Sequence, residues 1–159
     1  FTNVSIQNNI LFGSTISLPV GIQGYIQNNF ISNGNFSVYN FQINNNILVT
    51  GSFTPNNNVY FNNIGSGTQF GNANNNQQNI STTALFTNYS NTTETRYILN
   101  PTGPGIGAGF NGVDVGPFGG PDPYKLSGIP PVPTIYQLTA PSTTTTTSLP
   151  VTISTRSND

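Results

Sequence analysis

One pattern restricts the fold before anything else is read: a pair of asparagines set among β-branched and aromatic residues, recurring along the first half of the chain. SIQNNIL (5–11), YIQNNFI (25–31), INNNIL (43–48) and YFNNI (60–64) align on Asn8, Asn28, Asn45 and Asn62, in steps of 20, 17 and 17 residues. A looser copy, QQNI, ends at Ile80. Around each pair the apolar residues alternate in short bursts such as VSI, FSVYNF and VYF, which is the pattern of strands. Helix is disfavoured by the abundance of Asn, Gly, Thr and Ser and by the lack of a 3.6-residue apolar stripe. A repeat of this length with two or three short strands fits one turn of a parallel β-solenoid, in which successive turns stack at a spacing of ~4.8 Å. Stacked inward asparagines satisfy one another, because each amide carries both donors and an acceptor. Asparagine also tolerates the left-handed backbone of a tight corner. Asn8, Asn28, Asn45 and Asn62 are therefore the expected structural ladder, with inward Ile, Val, Leu and Phe filling the core.

Composition supports this reading and removes several functions. The 159 residues include 26 Asn, 21 Thr and 14 Ser, while only 4% are charged, against about 25% in an ordinary domain. No charge occurs before Glu94; the seven charged residues are Glu94, Arg96, Asp114, Asp122, Lys125, Arg156 and Asp159. The rival reading, a disordered Asn-rich segment, is disfavoured by 11% aromatic content and the regular apolar spacing. With no His or Cys, disulfides, thiolate or imidazole metal sites and Cys or His catalysis are excluded. Three basic residues in total argue against nucleic acid or an anionic membrane as partner. No apolar run approaches the ~18 residues of a membrane span, so membrane insertion is not expected.

The stretch YILNPTGPGIGAGFNGVDVGPFGG (97–120) resembles the closing segment of right-handed parallel β-helix repeat proteins, whose pattern is Y-x-L…S-P-A-I-G-A-G…D-x-G-A-F-G-G. Tyr97, Leu99, Ile106, Gly107, Ala108, Gly109, Asp114, Gly116, Phe118, Gly119 and Gly120 match. Gly103, Pro104 and Gly105 stand where Ser-Pro-Ala is usual, and Pro117 where Ala is usual. The remainder is similar to the C-termini of such proteins from Bacteroidota, which are secreted or surface-exposed. The resemblance implies an all-β fold: a right-handed parallel β-helix with a Gly/Pro-rich C-terminal cap and a two-strand tail. Its cap turns fall at Gly107, Gly109, Asp114, Gly116, Gly119 and Gly120. Three regions follow: uncharged Asn-rich turns (1–96), the closing segment (97–127), and a Pro-rich connector with the tail (128–159). In the tail, 134–139 and 149–155 read as strands joined by a Thr-rich loop (143–147). Ile135, Tyr136, Leu138, Val151 and Ile153 are its candidate assembly residues. The chain is expected to represent the C-terminal turns of a longer or processed precursor, its first turn covered by further β structure.

Chemistry-bearing motifs are few. Residues 107–112 satisfy G-x-G-x-x-G, but Val113 to Pro117 cannot form the helix that a dinucleotide site requires. Asp114 and Asp122 lie in Gly/Pro turns, where Asp bonds its own backbone, so a glycosidase pair is not expected. The five N-x-S/T triplets (Asn3, Asn35, Asn79, Asn88 and Asn91) are no more than composition places. Tyr25, Tyr39 and Tyr60 can stack on sugars, although strand aromatics more often fill cores. No catalytic residue, cofactor or metal is expected. The function expected is a non-catalytic extracellular or cell-surface protein, structural or adhesive, associating through open strand edges as a filament subunit. Its partners would be further copies, further β-helix turns of a precursor, or a cell-surface polysaccharide. The alternative is the non-catalytic C-terminal part of a secreted carbohydrate-active β-helix enzyme, a lyase or glycoside hydrolase.

Overall fold

The computed structural model describes residues 3–126, 134–141 and 150–156. The chain divides into two units, Phe1–Tyr124 and Lys125–Asp159. In the first, nine short strands follow one another: β1 (Asn3–Gln7), β2 (Ile10–Phe12), β3 (Thr15–Ser17), β4 (Gln23–Gln27), β5 (Phe30–Ser37), β6 (Phe41–Asn44), β7 (Ile47–Phe53), β8 (Val59–Phe61) and β9 (Ile64–Gly65). They form two sheets, ordered β1-β4-β6-β8 and β2-β5-β7-β9, with β3 also pairing with β5. Every pairing between these strands is parallel. The result is a β-solenoid of about 4 turns.

Register stacks like on like, as the repeat requires. Ile6, Ile26, Ile43 and Tyr60 form one column of the first sheet; Leu11, Ile31 and Leu48 form another on the second. Both columns face the interior, where Ile16, Phe36, Val38, Phe41 and Phe70 join them. On β1 burial alternates along the strand, as it does where one face is open.

The second sheet departs from the single narrow core that the sequence suggests. Phe30, Ile31 and Ser32 are buried in succession, as are Ile47, Leu48 and Val49, the mark of a parallel strand covered on both faces. The outward column Ile10, Phe30, Ile47 and Ile64 packs under the segment that follows the turns. Leu85, Phe86, Tyr97, Leu99 and Val115 close a second core over it. Phe30 is fully buried there, with its ring 4.5 Å from that of Tyr97 and 5.6 Å from that of Phe86. A single helical turn, α1 (Thr82–Leu85), delivers Leu85; Ser81 caps it by accepting from the Ala84 N–H at 3.2 Å.

The second unit is an antiparallel hairpin of β10 (Thr134–Thr139) and β11 (Thr152–Arg156), with a register shift between Ile135 and Gln137. The second strand starts three residues later than the expected 149. The Pro-rich connector (128–133) and the Thr loop (143–147) lie outside the described residues.

Candidate functional site

Each turn passes from the first sheet to the second through an Asn–Asn pair, and the two residues divide the work. The first of each pair, Asn8, Asn28, Asn45 and Asn62, adopts φ of 55, 54, 58 and 54°. This is the left-handed region that asparagine tolerates better than most side chains. The second turns its side chain inward. Asn9 donates its backbone N–H and its Nδ2 to Asn29 Oδ1 at 3.0 and 3.1 Å. Asn29 repeats the pattern on Asn46 (3.0 and 2.9 Å), Asn46 on Asn63 (both 3.0 Å), and Asn63 on Asn76 (2.9 and 3.0 Å). The continuous amide ladder thus runs one residue after the positions on which the sequence copies align. Asn8, Asn28, Asn45 and Asn62 hold the corner, and among them only Asn45 Nδ2 to Asn28 Oδ1 (3.3 Å) is a rung. The fifth rung is Asn76, preceded by Asn75 at φ 58° and followed by Gln77 paired with Ile64. The last copy is therefore centred on Asn75 and Asn76 and not on QQNI.

Freed from the interior, the corner asparagines hold the Gly-rich closing segment. Asn62 Nδ2 donates to Ala108 O at 2.8 Å. Asn45 Oδ1 accepts the Phe110 N–H at 2.8 Å, and its carbonyl accepts the Gly116 N–H at 2.8 Å. Asn28 Nδ2 donates to Asp114 O and Gly116 O, both at 3.2 Å. Asn8 Nδ2 donates to Pro117 O and Gly119 O at 2.9 and 2.8 Å. As residues 108 to 119 advance, their partners descend from the fourth turn to the first. The segment expected to cap the end of the stack is a strap laid along its side. Glycine is required where the strap doubles back: a Cβ on Gly119 would stand 1.9 Å from Asp114 O. Gly116, at φ 88°, leaves room for Ile47, whose Cδ1 would be 2.5 Å from a Cβ. Gly107 and Gly120 also take positive φ, 62 and 81°, and the Gly107 N–H donates to Asp114 Oδ1 at 2.8 Å. Asp114 is thus used on its own turn. The glycine motif at 107–112 ends in a 3-10 turn (Phe110–Gly112) with Asn111 at φ 61°, and the chain is extended again at Val113.

Other titratable groups sit beside the strap. Tyr124 donates its hydroxyl to Glu94 Oε2 at 2.6 Å; that bond, burial and the Glu94 charge push the phenol's pKa up. Burial raises Tyr97 too, against the opposing Arg96 charge and with a smaller push from Tyr89. The Arg96 guanidinium lies over the rings of Tyr89 and Tyr97, at 4.7 and 5.4 Å. Among the described residues no three of His, Cys, Asp or Glu cluster as a metal site would need. No helix among them is long and apolar enough to cross a membrane.

Among the described residues of the first unit, two surfaces carry no covering element. At the first described turn, β1 pairs only with β4, and β2 and β3 only with β5. The mouth of the stack there is a cavity of about 360 Å³ lined by Ile6, Leu11, Ile16 and Leu18. Along the first sheet, Tyr25 is 49% exposed, whereas Tyr60 packs into the inner core with its ring 4.8 Å from that of Phe53. Tyr39 is also exposed. In the hairpin unit the candidate assembly residues Ile135, Leu138, Val151 and Ile153 are all exposed; Tyr136 lies on the same strand at the register shift.

These features define the first unit as a parallel β-solenoid laced lengthwise by its own C-terminal segment. No family model, curated protein or solved structure matches the chain.

Proposed function

We propose that the chain is a non-catalytic extracellular protein, structural or adhesive, that associates through the open strand edges of its first turn. The carrying observation is that mouth: among the described residues, three strands with one neighbour each, around the apolar side chains of Ile6, Leu11, Ile16 and Leu18. Unpaired edges template further pairing unless charge or a covering element blocks them. Here no charged residue precedes Glu94, and among the described residues of the first unit the strap occupies the corner and does not reach the mouth. The natural occupant is further β structure. A second copy supplies it in the form of β10 and β11, whose Ile135, Leu138, Val151 and Ile153 are exposed. A contact between the mouth of one copy and the hairpin of the next is head-to-tail, and builds a filament when it does not close.

Sedimentation velocity of the full chain across a concentration range, with electron microscopy of the same samples, tests this. Growth of the assembly with concentration is expected. Leu11→Lys combined with Leu18→Lys sets two ammonium groups in the mouth and should leave monomer. Deleting residues 133–159 should do the same while circular dichroism still reports β structure. A wild-type chain that stays monomeric throughout refutes the proposal.

A further inference from the structure

The outer face of the first sheet carries a notch that shares no lining residue with the mouth. It lies where the chain enters that sheet and spans all four turns, a cavity of about 380 Å³ lined by Asn3, Gln23, Tyr25, Asn40, Asn57 and Val59 among others. That volume falls in the range of small-ligand clefts, about 300–1,000 Å³. We propose that this notch binds a segment of an uncharged polysaccharide.

Three observations carry the assignment. The first is the state of the amides. The amides of the ladder are saturated, and even the outer ones nearby are spent on each other. Gln27 Nε2 donates to Gln7 Oε1 at 2.7 Å, and Gln42 Nε2 to Asn44 Oδ1 at 3.2 Å. In the notch, the side chains of Asn3, Gln23, Asn40 and Asn57 make no hydrogen bond to any described residue. Each offers two donors and an acceptor from one planar group, the set that adjacent sugar hydroxyls take up in pairs. Asn40 and Asn57 are held at φ 60 and 59°, so the corner backbone fixes the origin of these two amides before a ligand arrives.

The second observation is the aromatic wall. Tyr25 is 49% exposed and Val59 64%, and they share one outward column with Gln42 between them. A half-exposed ring with a free hydroxyl offers a flat apolar face and a polar tip, suited to a pyranose that has C–H groups on one side and hydroxyls at its rim. The third is charge. No Asp, Glu, Lys, Arg or His occurs in residues 1–93, and every residue lining the notch is uncharged, so the notch offers no counter-ion for a uronate, a sulfate or a polyamine. Its occupant is neutral. The solenoid repeats the strand spacing of ~4.8 Å from turn to turn, so a linear polymer lying along the axis meets an amide at each step.

This inference deepens the adhesive reading, which it rests on, by naming the chemistry of the surface gripped. Its test is independent of assembly. Native affinity electrophoresis of the full chain is run in gels containing hydroxyethyl cellulose, xyloglucan, galactomannan or dextran, and in parallel gels with pectin or alginate. At least one neutral polymer should retard the chain, and added salt should not release it, because no ion pair is involved. Tyr25→Ala and Asn57→Ala should each weaken that retardation by about tenfold, the usual scale for losing one anchoring contact. Tyr39→Ala, outside the notch, should leave it unchanged, with circular dichroism confirming the fold of all three. Retardation by none of the neutral polymers, retardation by the acidic ones only, or full retention in Tyr25→Ala each overturns the inference. So does a Tyr25→Ala chain that loses self-association, since the occupant is then a second copy. A chain that binds a neutral polymer yet stays monomeric upholds this inference while removing the filament.

Discussion

Replacing Asn46 by alanine isolates the ladder from everything else the repeat contributes. Asn46 is fully buried. Its Nδ2 donates to Ile26 O, Asn44 O and Asn63 Oδ1 at 2.8 to 3.0 Å, and its Oδ1 accepts from the Asn29 N–H and Nδ2. Alanine leaves the Asn29 backbone N–H buried without an acceptor, which costs about 1–3 kcal/mol. The other lost bonds cost about 0.5–1.5 kcal/mol each, and the vacated volume adds to them, for a total of about 3–5 kcal/mol. Asn9, half-buried at the open end, makes the same kind of contacts with an exposed Gln7 and a buried Asn29, whose Oδ1 keeps the Asn9 backbone N–H. Its Nδ2 donates to Gln7 O and Asn29 Oδ1, and its loss orphans no buried donor. Asn9→Ala should therefore cost only about 1 kcal/mol. Urea titrations followed by far-UV circular dichroism, with matching slopes, give both numbers. Asn46→Asp adds a check on the mechanism. The new carboxylate faces three acceptors, so its folded pKa rises above the unfolded value of about 3.9. Stability is then greatest below about pH 4 and is lost as pH rises from there, by at most ~1.4 kcal/mol per unit. Equal costs for Asn46→Ala and Asn9→Ala, or a pH-indifferent Asn46→Asp, would refute the ladder as a source of stability.

Three further outcomes follow from the corners, the strap and its tyrosines. Asn8→Gly keeps the left-handed backbone but removes the bonds to Pro117 and Gly119. Amide exchange should quicken at 116–120 while global stability falls by no more than about 1–2 kcal/mol; unchanged exchange there would show that Asn8 does not hold the strap. Thr50 is β-branched yet sits at φ 57° beside Asn33 at 54° in the adjacent turn, so Thr50→Asn should relieve about 1 kcal/mol of strain and raise the urea midpoint. Tyr97 and Tyr124 both have raised pKa values. The folded state thus holds their protons longer than the unfolded one, and stability is lost as pH rises above about 10. The double change Tyr97→Phe, Tyr124→Phe should flatten that alkaline loss in equilibrium unfolding curves; an unaltered loss would place its origin elsewhere.

The repeat made the parallel stack legible because spacing survives in sequence however the side chains point. Which asparagine of each pair faces inward was not legible. Asn28 and Asn29 are chemically identical, and only the left-handed φ of the first decides that the second makes the rung. The last copy was misaligned by the same ambiguity, since 74–76 is a run of three asparagines. The closing motif was recognisable, but its course was not, because its partners lie 46 to 111 residues away. One available signal went unread. Paired apolar residues directly after the corner (Ile10–Leu11, Phe30–Ile31 and Ile47–Leu48) are what a strand buried on both faces looks like. They foreshadow the second core. The outer notch left no such trace, since its residues come from four turns and share no motif.

In a plain solenoid each turn feels only its neighbours, so stability behaves like a one-dimensional chain and the ends fray independently. A strap bonded to the corner of every turn cancels that locality. Loss of turn one costs the contacts at Asn8 and also loosens the segment that Asn28, Asn45 and Asn62 grip. The four turns are thereby coupled end to end, and unfolding should proceed as a single cooperative transition where an unlaced stack of equal length would peel.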